Sequence, residues 1–308
     1  MSLVPSQRWD LPHGQVHVRR SGRGDAGRPA AVLIHGLGGS SLNWLDLMTL
    51  LEDEVDLVAV DLPGFGASPP PRDGDYSPAG HARTVAALIE SWQEERGTAA
   101  PVHVFGNSLG GAVSVQLAGR RPDLVASLTL ISPALPTVRV GRGNVHLPVV
   151  AVPGLGESLA ERYRAVPPEQ RVQATIDACF ADPASISPTT RDALIAEVAE
   201  RDRLPYPKDA LLSSLRGLLG TFLDPSPQRP WSLARRIRRP VLAIYGEGDV
   251  LVDPRGARRA ARSFPQVEVA LLSDCGHVAQ MEHPELVAEM WRRSFLARNP
   301  VTHAVPGP

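Results

Sequence analysis

The 308-residue sequence predicts an α/β protein, a parallel sheet covered by helices on both faces and interrupted by a helical insert. Three observations carry this reading. Short, continuously apolar runs recur, as strands buried on both faces require. Segments of helical periodicity separate them. From about Pro136 to Trp231 the alternation stops, and prolines and helical fragments replace it.

The elements follow in order. Gln15 to Arg20 alternates like an edge strand, and Ala30 to His35 (AAVLIH) reads as a buried one. Leu42 to Leu51 has helical spacing, and Asp56 to Val60 (DLVAV) is a further short strand. Ser77-Pro78 starts a helix running to about Arg96, with serine as cap and proline in the first turn. Pro101 to Phe105 is a strand, Leu109 to Gly119 a helix, and Ser127 to Ile131 a strand. Inside the insert, residues 175–180 (TIDACF) and 211–220 (LLSSLRGLLG) are helical pieces. The rhythm resumes with Pro240 to Tyr245, a helix near Pro254 to Ser263, the strand VEVALL at 267–272, and a last helix from about Pro284. The expected organisation is a core of residues 1–136 and 232–308 with an insert at 137–231, and a disordered tail, NPVTHAVPGP.

Composition narrows the function classes. The formal net charge is −1, and the basic residues are nearly all arginines spread along the chain, with Lys208 the only lysine. Nothing in this calls for nucleic acid or an anionic membrane as partner. Cys179 and Cys275 are the only cysteines, which excludes a disulfide framework and a zinc pattern. No apolar stretch approaches the ~20 residues that span a bilayer. The N-terminus lacks the apolar region of a secretory signal, so the expectation is a cytoplasmic protein, monomer or homodimer.

Residues 102–113, VHVFGNSLGGAV, place Ser108 between two glycines where a strand meets a helix. Such a serine is either a helix cap in a tight turn or a nucleophile on a strained elbow. In the second case Gly106 and Gly110 remove side chains that would clash as helix and strand converge. A serine hydroxyl needs a histidine to take its proton and a carboxylate to orient that histidine. Of nine histidines, His277 follows the last strand, with Gly276 before it, at the carboxyl edge where open α/β sheets bind ligands. His17 and His103 lie within strands, His13 and His303 in terminal stretches, His146 near the start of the insert, and His283 at a helix start. For the acid, Asp249 lies in the turn after PVLAIY, whereas Asp253 before Pro254 suits a helix cap. Oxyanion donors would be the Leu109 N–H and one from the glycine-rich loop HGLGGS at 35–40. That loop could instead cradle a phosphate, but it lacks GxGxxG spacing and a nearby lysine.

Five pieces, LIHGLGGSSLNW (33–44), VAVDLPGFGASPPP (58–71), VHVFGNSLGGAV, LAIYGEGDVLVDP and LLSDCGHVAQMEHPE, resemble the α/β-hydrolase superfamily in content and order. The resemblance implies a mostly parallel eight-stranded sheet and a helical cap inserted after the strand SLTLI. It implies Ser108 as nucleophile, Asp249 as acid and His277 as base, with the Leu37 and Leu109 N–H groups as the oxyanion hole. His35 is then a loop-shaping residue and Asp61 a structural one. No metal or organic cofactor is implied.

Serine at the elbow, rather than aspartate, fits acyl transfer on esters, thioesters, lactones or amides, or carbon–carbon cleavage next to a carbonyl, and the leading expectation is a hydrolase of small or medium apolar carboxylic esters. Two alternatives stand beside it. One is a carbon–carbon hydrolase of ring-fission type, which needs a cation for a substrate carboxylate, though Arg162, Arg164 and Arg171 are not singled out by spacing. The other is a ligand-binding receptor with little turnover. Specificity belongs to the cap, where Leu147, Val149, Leu155, Phe180, Leu211, Leu215 and Phe222 are candidate wall residues.

Overall fold

In the computed structural model, which describes residues 4–12, 14–137 and 147–296, eight strands form one sheet in the order β1-β2-β4-β3-β5-β6-β7-β8. The strands are β1 (Ser6–Leu11), β2 (Gly14–Ser21), β3 (Ala30–Ile34), β4 (Asp56–Val60), β5 (Val102–Asn107), β6 (Val125–Ile131), β7 (Val241–Gly246) and β8 (Val267–Leu272). β1 and β2 run antiparallel to their neighbours, and β3 to β8 are mutually parallel. The eighth strand is β1, so Gln15 to Arg20 lies one strand in from the edge it was expected to form. The burial of SQRWDL explains why β1 escapes a hydrophobicity reading: only Leu11 is buried.

Period-two alternation sorts the central strands onto two cores. Val32 and Ile34 of β3, with Val58 and Val60 of β4, face one apolar layer. There they meet α2 (Pro78–Glu95) and α3 (Leu109–Arg120) through Val85, Leu88, Trp92, Ala112 and Leu117. Ala31, Leu33, Leu57 and Ala59 face the other, against Leu47, Met48 and Leu51 of α1 (Leu45–Leu51) and residues near the C-terminus. Covered on both faces, β3 and β4 are buried at every position, which is why they read as uninterrupted apolar runs.

Between β6 and β7 come α4 (Leu147–Val150), α5 (Leu155–Arg164), α6 (Pro168–Cys179), α7 (Pro188–Arg201) and α8 (Pro207–Gly220), followed by α9 (Pro230–Ala234), which packs on α3. Prolines open α6, α7 and α8 at their first turns, where a missing N–H costs nothing. The core ends with α10 (Gly256–Ser263), α11 (Ala279–Glu282) and α12 (Pro284–Trp291). A third apolar cluster joins insert to core: Val172, Ile176 and Phe180 of the α6 region and Val198 of α7 meet Val278 and Met281, just after His277.

Some expectations fall differently. Val149, Leu155 and Phe222 are exposed, so they do not wall an enclosed pocket; Phe180 and Leu215 are buried. Leu211 does reach the core, with Cδ1 at 3.6 Å from where a Cβ on Gly38 would stand. The Leu147 side chain, His13, His146, His303 and the segment NPVTHAVPGP lie outside the described residues.

Candidate active site

The turn from β5 into α3 is made at Ser108 itself, with φ 53° and ψ −114°. A non-glycine residue there is strained. Three backbone bonds hold it: Ser108 N–H donates to Ile131 at 3.0 Å, and its carbonyl accepts from Ala112 at 3.2 Å and Ala134 at 2.9 Å. No side-chain bond caps the helix, so the hydroxyl is not spent as a cap. A Cβ on Gly106 would overlap the Gly110 carbonyl and Ser114 Oγ, and one on Gly110 would overlap the Ile34 carbonyl. The two glycines are therefore what lets β3, β5 and α3 close around the serine.

The loop after β3 approaches from the other side. A Cβ on Gly36 would sit 3.2 Å from Ser108 Cβ. Its shape is set by His35, whose Nδ1–H donates to Gly36 O at 2.7 Å while Nε2 accepts the Leu62 N–H at 3.0 Å. Burial is the main force holding the His35 pKa below its ordinary value, so the ring is neutral and can serve as both donor and acceptor. Gly38 takes φ 79°, and Gly39 N–H returns to Gly36 O at 3.1 Å. Leu37 lies within this turn, and Leu109 is the first residue of α3, whose dipole adds positive potential. Among the described residues, no hydrogen bond engages the N–H of Leu37 or of Leu109.

Asp249 and His277 meet directly: Nδ1 of the ring stands 2.8 Å from Oδ2. Oδ1 accepts the N–H groups of Leu251 at 2.8 Å and Val252 at 2.9 Å, which fixes the carboxylate plane. Burial pushes the Asp249 pKa up, but the His277 charge, its hydrogen bond and the Val252 N–H together hold it below the ordinary carboxylate value. The loops carrying the pair are tied to one another, Glu247 N–H donating to Leu272 at 2.8 Å and Gly248 N–H to Cys275 at 2.9 Å. Gly246 permits this approach, since a Cβ there would overlap the carbonyls of Cys275 and Gly276.

One contact runs from the serine turn to the histidine loop. Asn107 Nδ2 donates to His277 O at 2.9 Å, although no hydrogen bond links Ser108 Oγ to the ring among the described residues.

The other candidates sort cleanly. Asp61 accepts from Ser41 N–H at 2.7 Å and Ala67 N–H at 2.9 Å and lies 2.7 Å from His17 Nδ1, a structural hub. Asp253 accepts Arg255 N–H at 3.0 Å ahead of α10, and His283 begins α12. Burial, then the Asp249 and Glu282 charges, push the Cys179 thiol up to about 12, and burial raises Cys275 as well, so neither is an activated thiolate. Among the described residues, no group of three or more His, Cys, Asp or Glu converges as metal ligands. A surface cavity of about 340 Å³ is lined by Pro136, Phe222, Arg229, Trp231 and Arg259; it takes in the candidate wall residue Phe222 but not Ser108, Asp249 or His277.

Three residues carry no sequence signal for a place at the site. Asn107 binds the histidine loop, and Arg201 of α7 donates from Nη1 to Gly38 O at 2.9 Å. Glu282 lies five residues beyond His277 and accepts the Gly276 N–H at 2.8 Å.

A strained strand-to-helix serine, with an acid and a histidine following β7 and β8, under helices inserted after β6, defines an α/β hydrolase. The model of the alpha/beta hydrolase family matches residues 31–290, and the chain belongs to that family. It is 32% identical over 270 residues to the dihydrolipoyllysine-residue acetyltransferase component of the acetoin cleaving system of Pseudomonas putida. That match covers 86% of this chain and 62% of the relative, so the chain spans about three-fifths of that protein's length. It is 26% identical over 292 residues to the monoacylglycerol lipase ABHD6 of Bos taurus, covering 90% of this chain and 79% of the relative. Among solved structures, Cfl2 of Burkholderia cenocepacia superposes with a TM-score of 0.78 at 24% identity, over 94% of this chain and 95% of that one. The 2-hydroxy-6-oxo-6-phenylhexa-2,4-dienoate hydrolase of Rhodococcus sp. strain RHA1 superposes with 0.76 at 22%, over 95% and 99%. At these identities the structural likeness speaks for the fold.

Proposed function

We propose that the chain is a serine hydrolase that cleaves small to medium apolar carboxylic esters through an acyl-enzyme. The observation carrying this is the Asp249–His277 contact at 2.8 Å, with the second carboxylate oxygen held by two backbone N–H groups. An aspartate so fixed selects the tautomer with the proton on Nδ1, leaving the Nε2 lone pair for the Ser108 proton. Ser108 Oγ attacks the ester carbonyl, and the negative charge gathers on an oxygen facing the Leu37 and Leu109 N–H groups. His277 returns the proton to the leaving alcohol. Water then attacks the acyl-enzyme by the same route, releasing acid and free serine. Residues 137–231 form the cap in this reading, and the monoacylglycerol lipase among the relatives supports an ester as the bond cleaved.

A carbon–carbon hydrolase is the second reading. Arg201 favours it, as a cap guanidinium that reaches the oxyanion loop at Gly38.

Intact-mass analysis after a fluorophosphonate probe tests the first step shared by both. One adduct on wild type, absent from Ser108→Ala and His277→Ala, is the expected result. A folded wild type without an adduct sinks the assignment. Turnover of p-nitrophenyl esters of graded chain length, against a ring-fission product, then separates ester from carbon–carbon cleavage.

A further inference from the structure

Glu282 is buried at 7% exposure, and its carboxylate spends both oxygens on backbone donors. Oε1 accepts the Gly276 N–H at 2.8 Å, with the Cys275 thiol 3.8 Å away, and Oε2 accepts the Ala181 N–H at 2.6 Å. Among the described residues no arginine, lysine or histidine forms an ion pair with it. The two donors come from different parts of the fold. Gly276 directly precedes His277, whereas Ala181 lies two residues past α6 in the inserted helices.

The same two segments touch a second time. His277 N–H donates to the Cys179 carbonyl at 2.6 Å, capping the last residue of α6. A Cβ on Gly276 would overlap that carbonyl and stand 2.7 Å from Ala181 N. A carboxylate beyond the C-terminal end of α6 gains nothing from that helix's dipole. Its burial is compensated by the two charge-assisted N–H bonds, which are stronger than neutral ones.

We propose that Glu282 is a positioning residue for His277: by joining Ala181 of the inserted helices to Gly276, it sets where the imidazole stands between Asp249 and Ser108. This rests on the Ser–His–Asp reading above. Docking of α6 and alignment of the base are then one event, because a single carboxylate completes both. A carboxylate that merely anchors packing would affect stability and leave the chemistry of a folded protein alone.

The test uses Glu282→Gln and Ala181→Pro in the full chain. Glutamine offers one carbonyl acceptor and turns an NH₂ toward the other donor, so one of the two bonds is lost. Proline at 181 replaces the inserted helices' N–H by a ring carbon that faces Glu282 Oε2, which breaks that bond while leaving the Gly276 bond its donor. The preceding Phe180 already has the extended backbone (φ −97°, ψ 143°) that favours a following proline. Three quantities are read: the melting temperature, the rate of fluorophosphonate labelling, and hydrogen exchange at the His277 amide, which Glu282 does not itself contact. Both variants are expected to fold, to label about 10- to 100-fold more slowly, as small misplacements of catalytic groups do, and to exchange the His277 amide faster. A folded Glu282→Gln with wild-type labelling and wild-type exchange at His277 overturns the proposal. If that variant does not fold, Ala181→Pro decides by the same readouts. Should wild type itself take no adduct, the serine reading fails, and exchange at His277 alone decides the role of Glu282.

Discussion

Asn107, one residue before Ser108, donates its side-chain N–H to the His277 carbonyl at 2.9 Å, across 170 positions of sequence. The same nitrogen lies 3.2 Å from the Ile131 carbonyl, so one amide binds the elbow to β6 and to the histidine loop. Asn107→Leu leaves both carbonyls buried without that donor. The expected cost is about 1–3 kcal/mol, read from urea unfolding, together with slower probe labelling. Unchanged stability would mean that the two segments hold each other by packing alone.

The strain at Ser108 is separable from its chemistry. Ser108→Ala and Ser108→Gly both remove the hydroxyl and should both abolish labelling. Only glycine adopts φ 53° without penalty. Ser108→Gly should therefore be the more stable of the two by about 1 kcal/mol, toward the low end of such strain, and calorimetry on the pair measures it. Equal stability would show that the turn is relaxed.

On the proposed triad, Asp249→Asn replaces the acceptor that would select the His277 tautomer. Turnover should fall by about 10⁴-fold with the fold intact, as expected for a triad whose histidine is wrongly oriented. The stability effect has a definite sign. The Asp249 pKa is held below its unfolded value, so its contribution is present above about pH 4 and fades as pH falls through the folded pKa. Asp249→Asn should flatten the acid side of the stability profile in that window. Unfolding curves between about pH 2.5 and 6, values chosen around the ordinary carboxylate range, check this.

A buried and a half-buried histidine, His81 and His103, act over a higher window. Burial lowers His81 to about 3 and His103 to about 4. The unfolded chain takes up these protons near pH 6.5 and the folded protein does not, so stability is full above that value and declines as pH falls. Each ring should contribute a slope of about 1.4 kcal/mol per pH unit until its folded pKa is reached. Urea titrations from about pH 7.5 to 4.5, a range bracketing the imidazole value, should show a shallower decline for His103→Gln. His81 is the harder site to replace, since its Nε2 lies 3.1 Å from Ser214 Oγ of α8. Identical slopes in wild type and His103→Gln would place the proton uptake elsewhere.

Much of the fold is legible in local pattern. β3 and β4 announce themselves because both faces are covered, which makes nearly every residue apolar. Gly106, Ser108 and Gly110 mark the elbow because steric conflict at a strand-to-helix turn leaves few residue choices. Asp249 and His277 stand out by their places after strands, since the loops leaving parallel strands all gather at the carboxyl edge of the sheet. By contrast, β1 is an edge strand with only Leu11 buried, so its pairing with β2 leaves no apolar trace. The candidate wall residues Val149, Leu155 and Phe222 are apolar yet exposed, because composition does not say which way a helix turns in the assembled insert.

The sequence by itself determined the α/β architecture and the residue types proposed for the chemistry, because each of these leaves a short-range pattern of burial, glycine or periodicity. Only the tertiary structure decided that Asn107 holds His277, that Arg201 reaches Gly38, and that Glu282 joins Ala181 to Gly276. The contacts of Glu282 with Ala181, Arg201 with Gly38 and Asn107 with His277 span 101, 163 and 170 positions of sequence. A polar side chain bonding a distant backbone group imposes no periodicity on its neighbours, so such contacts exist only once the chain has folded.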